Sequence, residues 1–496
     1  MLYHIFELAY TSLFNEEFLE EGDRGAVMLV HNLSQVSKQW REIVLLDPQL
    51  WAIIDIPNRL FVQTCVTRSR NVPLRIHLNS GDTDITPQRK KAVGECIPIL
   101  ATCIDRWQSL SHDNVCMETL HLLFAHPAPK VETLRLEGVG NWEMFDIPDG
   151  FFNGKLPRLR QLRLVACRLP LNPSNYNGLT ELSLFSIEFI DSSMCDLLGV
   201  LVACPALEIF RFHQVYIHDT QLSDHALLNI CPVDMPQLRE LSIAHSEDPV
   251  LPKIILGSIR PPPSVHLRIV DTIETYDDLR SILPLHTELK STLQSLLDIE
   301  ELAFTFGVKP PRSKSIDACD IRAVSRRKSP DRLPYPVMTL FLFPIEPDQG
   351  LPEGFELSGR LFQNIGRELP LPRLKTLKII RLDSEILSAA SFAGVLDNLS
   401  SVELLELVSR STIFVRAPAF TSDQRLCPSL ETLRLEHSSI TGEDLLTIVE
   451  SRAPVTDGAP SQAGTSSLRL VLADCSAISQ SYVEELGAYA EVIVKF

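Results

Sequence analysis

A short phrase, L-x-x-L-x-L, recurs along this chain with apolar residues at its three fixed places. VETLRL supplies Val131, Leu134 and Leu136, LRQLRL supplies Leu159, Leu162 and Leu164, and LTELSL supplies Leu179, Leu182 and Leu184. LEIFRF (Leu207, Phe210, Phe212) and LRELSI (Leu238, Leu241, Ile243) continue the series. After a gap it returns as LKTLKI, VELLEL and LETLRL, with Leu377, Leu405 and Leu433 at the middle place. Leu134 to Leu162, Leu182 to Phe210, Leu377 to Leu405 and Leu405 to Leu433 are each 28 residues apart. The alternation Leu-x-Leu predicts a brief strand with one apolar face. Segments such as 191–203 and 441–451 predict helices that carry the chain back to the next strand. Stacked in order, such units pair their strands in parallel and bury the leucines in one continuous core.

The period and phrase resemble the leucine-rich repeat, whose units run about 20–29 residues. The lead-ins repeat as well: LPRLRQL at Leu156 is echoed by LPRLKTL at Leu371, and CPALEIF at Cys204 by CPSLETL at Cys427. Proline there stops the preceding helix. Cys167 and Cys475 fall on the place such repeats fill with Asn or Cys, and read as buried small apolar residues. The series is irregular between 264 and 347, where SVHLRIVD, ELAFTF and VMTLFLF resemble degenerate strands. Stretches 307–336, basic and Pro-rich, and 453–467, small and polar, predict surface loops. VEELGAYAEVIVKF predicts a closing helix and strand, a cap for the stack.

The first residues follow a different period. Leu2, Ile5, Phe6 and Leu8 make a helical stripe, and an acidic stretch, EEFLEEGD, follows. Leu33, Val36, Trp40, Ile43 and Val44 then recur at helical intervals, which predicts one apolar helix face ending at Asp47-Pro48. The phrases Val36-Ser37-Lys38-Gln39-Trp40-Arg41 and Pro48-Gln49-Leu50-Trp51 resemble the second half of the F-box of fungal F-box proteins. Cys65–Asn79 and Ile104-Asp105-Arg106-Trp107 are similar to segments that follow the box in that family. The family opens its box with Leu-Pro-x-Glu-Ile. This chain starts Met1-Leu2-Tyr3-His4-Ile5-Phe6 without that Leu-Pro phrase, and the expectation is a resemblance that begins inside the first helix.

The resemblance implies an α/β chain: a three-helix F-box-like module at 1–56, linking helices and a strand at 57–126, and a leucine-rich-repeat-like solenoid at 127–496. It further implies that Leu2, Ile5, Phe6, Leu33, Val36, Trp40, Ile43 and Trp51 contact a Skp-type adaptor, and through it a cullin, or support those contacts. An unidentified protein target would sit on the solenoid. The tryptophans carry the most apolar area and suit anchors, or simply hold the helices together.

Composition narrows the alternatives. The 496 residues are 45 % hydrophobic but only 7 % aromatic, as thin leucine layers require. A net charge of -17 repels nucleic acid and anionic membranes alike. The eleven scattered cysteines contain no CxxC pair, and with no signal-like start this predicts a reducing compartment, cytoplasm or nucleus. No apolar run reaches membrane-spanning length.

Catalytic motifs are not found. Gly150-Phe151-Phe152-Asn153-Gly154-Lys155 has one residue too few between its glycines for a phosphate loop, and Leu156 replaces the Ser or Thr. Gly138-Val139-Gly140 lacks a third glycine. His121 with His126, and His213 with His218, stand five apart, off a common helix face and without a metal-ligand partner. Arg326-Arg327-Lys328-Ser329-Pro330 reads as a charged loop tip. The expectation is a non-catalytic substrate receptor without cofactor or metal. The alternative is a repeat scaffold that recruits no ligase, and an enzyme is a third, weaker reading.

Overall fold

The computed structural model describes residues 25–55, 58–78, 87–113, 126–138, 144–147, 156–219, 232–245, 251–273, 278–284, 293–308, 318–325, 335–344, 356–369, 371–382, 387–409, 411–421, 425–452 and 468–495. The stripe Leu2, Ile5 and Phe6, the glycine stretch at 150–155 and the expected loop at 453–467 lie outside them. The fold is mixed α/β with a mostly parallel sheet and no closed barrel. Two compact units divide it, Met1–Leu228 and Asn229–Phe496.

In the first unit, helices Gly25–Val36 and Lys38–Leu46 precede β1 (Ile53–Ile54), helix Arg59–Arg68 and β2 (Leu74–Leu78). Helix Pro87–Ala101 leads to β3 (Trp107–Asp113), β4 (Thr133–Glu137), β5 (Phe145–Asp146), β6 (Gln161–Pro170), β7 (Glu181–Ser193), helix Met194–Ala203 and β8 (Ile209–Asp219). Strands β1, β2, β3, β4, β6, β7 and β8 pair in parallel in chain order, and β5 pairs with the far end of β6. The ladder thus begins three strands before the first L-x-x-L-x-L phrase.

The second unit contains β9 (Val233–Asp234), β10 (Glu240–Ala244), helix Leu251–Gly257, β11 (Ile259–Arg260), β12 (His266–Ile273), β13 (Glu301–Val308), β14 (Ala318–Ser325) and β15 (Tyr335–Pro344). Helix Glu356–Gln363, β16 (Thr376–Ile380), helix Ala389–Asp397, β17 (Leu404–Val408), β18 (Thr432–Glu436), helix Gly442–Arg452, β19 (Arg469–Ala473), helix Gln480–Leu486 and β20 (Glu491–Lys495) complete it. Strands β10, β12 and β15 are parallel neighbours, as are β13 and β16 through β20. β14 lies antiparallel between β13 and β15, and β9 and β11 form a separate pair. The phrases SVHLRIVD, ELAFTF and VMTLFLF are the strands β12, β13 and β15. The loop expected at 307–336 is corrected, because it contains β14. Ala318, Cys319, Ile321 and Ala323 are buried there, three of the four being small side chains. Their basic, Pro-rich flanks hid that short pattern in the sequence.

Register explains the core. Ile54, Ile76, Leu110, Leu134, Leu162, Leu182 and Phe210 form one unbroken column in the first unit, all buried. Leu302, Leu377, Leu405, Leu433 and Leu470 do the same in the second. Each fully buried Leu contributes roughly 1.5–3 kcal/mol relative to exposure. Buried phenylalanines extend this core: Phe304, Phe362, Phe392 and Phe414 follow one another at centroid distances of 5.1, 6.1 and 5.3 Å.

Both ends of each phrase are built by local chemistry. In Leu156-Pro157-Arg158-Leu159 the last N–H returns to the first carbonyl at 3.1 Å. The same turn recurs at Cys204–Leu207, Met235–Leu238, Pro262–Val265, Leu371–Leu374 and Cys427–Leu430. Proline suits the second place because its φ is already fixed there. Two residues after the third apolar place, just past the end of β10, β16, β18 and β19 but inside the longer β6, β7 and β8, the backbone turns left-handed. Ala166, Ser186, Gln214, His245, Arg381, His437 and Asp474 account for seven of the ten non-glycine positive-φ residues among those described. That conformation costs roughly 1–2 kcal/mol for an L-residue. At His245, Arg381, His437 and Asp474 the N–H is claimed by a carbonyl of the next strand, so the ladder holds the turn.

Gly138 occupies the corresponding place after β4. A Cβ there would stand 2.6 Å from the Ala166 carbonyl oxygen and 3.0 Å from the Phe145 ring. Gly138→Ala is expected to lower unfolding free energy by about 1–3 kcal/mol, measured by denaturant titration, because backbone must move.

Candidate functional site

The N-terminal helices are organised by Ser37 and Trp51. One continuous helix face from Leu33 to Val44 was the expectation; the structure divides it. Ser37 has φ -160 and caps the second helix, its Oγ accepting the Trp40 N–H at 3.1 Å. Serine competes with the helix for backbone partners and so favours a cap over an interior place. The second helix stops at Asp47, whose carboxylate accepts the Gln49 N–H and starts the turn Gln49–Trp51.

Trp51 then locks the module to the ladder. It is 8 % exposed, its indole N–H donates to the Val44 carbonyl at 2.8 Å, and the Arg68 guanidinium lies 4.9 Å from its ring centroid. Arg68 also donates to the Leu45 carbonyl. Further along, Arg106 donates to the Val72 carbonyl at 2.9 Å and to Ser69 Oγ at 2.6 Å, fixing the end of helix Arg59–Arg68 against the turn before β3. Leu33 is buried, Trp40 and Ile43 are half-buried, and Val36 is 59 % exposed. Trp51 and Leu33 therefore face the interior of the chain.

Sequence reasoning missed the most exposed apolar groups here. Leu46 is 69 % exposed, Leu60 74 % and Leu45 38 %. With Val36 they are four of the nine exposed large apolar side chains among the described residues. Single exposed leucines are ordinary, and their concentration in so short a stretch makes it a candidate interaction surface. Breaking the helix at Ser37 changes which positions share a face, which a single 3.6-residue period could not reveal.

The second candidate surface is the strand face opposite the leucine columns. In the first unit the residue between the two leucines of each phrase forms the column His77, Ser111, Arg135, Arg163, Ser183, Arg211. Arg211 pairs with Glu181 at 3.2 Å, and Ser183 donates to the same oxygen. Arg163 lies 4.5 Å from the Phe185 ring centroid, and His213 meets that ring edge-on at 4.8 Å. Among the described residues, neither Arg135 nor Arg163 has a carboxylate within 4.0 Å, and Arg163 Nε is buried without a hydrogen-bond partner. Glu137 and Asp113 stand one column over. The corresponding column of the second unit is compensated. There Lys378 Nζ lies 2.8 Å from Glu406, and Arg434 reaches Glu406 at 3.6 Å and Glu436 at 3.2 Å. The x of each L-x-L was available in the sequence; only stacking it in register reveals the contrast.

Titratable groups on and behind this face are shifted by burial. Burial, with Arg135 and Arg75 nearby, lowers His77 to about 4. Burial also lowers His112, which replaces a leucine in the second apolar column, to about 4. Asp113 is pushed up to about 6 by burial and the charge of Glu137. Burial raises the thiols of Cys65, Cys96, Cys167, Cys204 and Cys427, which keeps them as inert thiols. Cys167 is buried as the sequence suggests, while Cys475 is half-buried. Among the described residues no three His, Cys, Asp or Glu side chains converge as metal ligands, and no helix is long and apolar enough to cross a membrane. In comparisons with known proteins, no family model matches the chain and no curated protein matches it.

Acid is expected to weaken the fold. The unfolded chain binds protons at its histidines near pH 6.5, but the buried imidazoles resist until about pH 4, so their contribution is complete above pH 6.5 and lost on descending. For His112 the loss is on the order of 3 kcal/mol, and half-buried His77 adds less. Asp113 has the opposite sign, gaining as pH falls below 6, and offsets part of this. Melts at neutral and acid pH should show lower stability in acid, and His112→Leu should shrink the difference.

Proposed function

We propose that this chain is the non-catalytic substrate-recognition subunit of a Skp–cullin–F-box ubiquitin ligase, acting in the cytoplasm or nucleus. The N-terminal helices dock on a Skp-type adaptor, and through it on a cullin. A protein target binds the strand-and-helix repeats that follow, read in this proposal as a leucine-rich-repeat-like solenoid. The chain supplies no reacting group. It raises the local concentration of target near the ubiquitin-carrying enzyme, as any tether does.

The observation that carries the reading is the outward display of Val36, Leu45, Leu46 and Leu60 from a module whose Leu50 and Trp51 turn inward. An adaptor with an apolar groove would remove these side chains from water. The largest return comes from Leu46 and Leu60, which have the most area to lose. The F-box resemblance of Val36–Arg41 and Pro48–Trp51 supports the same partner.

Capture of a purified Skp-type adaptor by the full chain tests this. Val36→Asp together with Leu46→Asp should weaken capture by at least about ten-fold while leaving the melting temperature unchanged, since both sites face water. Trp51→Ala should instead destabilise the chain by about 3–5 kcal/mol. Undiminished capture by the double Asp variant, or no capture by the unaltered chain, would leave the scaffold without ligase recruitment as the better account.

A further inference from the structure

The charge pattern on the first unit's strand face is incomplete in a way the second unit's is not. Like charges directly opposite on neighbouring strands are destabilising. In the second unit that cost is avoided, because Lys378, Glu406 and Arg434 alternate in sign along one column. In the first unit Arg135 and Arg163 stand on adjacent rungs with no acidic residue at any place in their column. The nearest carboxylates do not relieve them. Glu181 is engaged by Arg211 and Ser183, and Glu137 and Asp113 act only through space.

The geometry of Arg163 adds a second, independent observation. Its guanidinium rests on Phe185, and Phe185 is in turn held edge-on by His213. A planar cation stacked on a ring has few rotamers left to lose, and its remaining N–H groups stay arranged as a fork. Its Nε is already buried without a partner. A group so prepared gains more from an arriving anion than a freely moving lysine would.

We propose that Arg135 and Arg163 form the anion-binding centre of a docking surface for an extended acidic peptide segment, whose Asp or Glu carboxylates enter between the two guanidiniums. This deepens the function proposed above by giving the target a chemistry, and it rests on that reading for the target's fate. A peptide fits better than a nucleic acid. A net charge of -17 repels a long phosphate backbone, whereas a few carboxylates need only the local field. The half-exposed strand face also lets a chain lie across several rungs, placing successive acidic side chains toward Arg135, Arg163 and the Arg211 edge.

The test uses the full purified chain with no adaptor present, so its failure and a failure of adaptor capture are read separately. Fluorescence anisotropy follows a labelled Glu-rich peptide, its Gln counterpart, a phosphoserine peptide and a short single-stranded DNA. The Glu peptide should bind, the Gln peptide at least about ten-fold more weakly, and the affinity should fall with added salt. Arg163→Gln should lose about ten-fold, and Arg163→Lys should recover only part, because it keeps the charge without the fork. Lys378→Gln, in the compensated column, should change nothing. Circular dichroism of each variant establishes that it is folded, and Arg135→Gln provides an independent route should Arg163→Gln fail to fold. Equal binding of Glu and Gln peptides, or unchanged affinity in folded Arg135 and Arg163 variants, would overturn the proposal. So would DNA or the phosphoserine peptide binding about ten-fold more tightly than the Glu peptide.

Discussion

In-register parallel pairing is the constraint on which everything else in this protein depends. Because side chains alternate in a strand, one register decides both faces together. With Leu134 opposite Leu162, Arg135 must stand opposite Arg163. A slip by one residue would put guanidiniums into the core and leucines into water. The buried columns and the charged face are thus two consequences of one alignment, and a change in the turns that fix it alters both. A proline turn before several strands sets where that alignment starts, and the left-handed residue ends it after β10, β16, β18 and β19 and interrupts it within β6, β7 and β8.

Much of this was legible in the residues. The phrases with 28-residue spacing became parallel neighbours, and the degenerate strands at 266–273, 301–308 and 335–344 formed. What escaped was information carried by backbone geometry or by neighbours distant in sequence. The left-handed place holds Ala, Ser, Gln, His, Arg and Asp in different units, so no residue type announces it. β14 has few large apolar side chains, Ala, Cys and Ala among them, and so does not stand out between basic flanks. The break at Ser37 depends on one hydroxyl choosing a backbone N–H.

The same division runs through the candidate surfaces. Trp40 and Trp51 drew attention by size, yet Trp51 spends its area on the chain's own interior. Its indole bond to Val44 and the Arg68 stack make it the fixed point between the helices and β1. The side chains left facing water are plain leucines and one valine that sequence inspection passes over, because a Leu looks the same inside or outside. The arginine column needed three-dimensional stacking for its imbalance to become visible, since each Arg alone reads as a solvated charge.

The placement of β14 bears on how the second unit assembles. From β16 onward every strand pairs in parallel with the one before it in the ladder, so order can spread one strand at a time. At β13 to β15 that route is closed. Leu267 pairs with Met338 and Glu301 with Thr376, and the antiparallel strand between them belongs to neither run. A chain emerging from the ribosome must therefore carry β12 with an open edge until β15 has been made. That waiting edge is where a nascent chain is most exposed to pairing with a stranger.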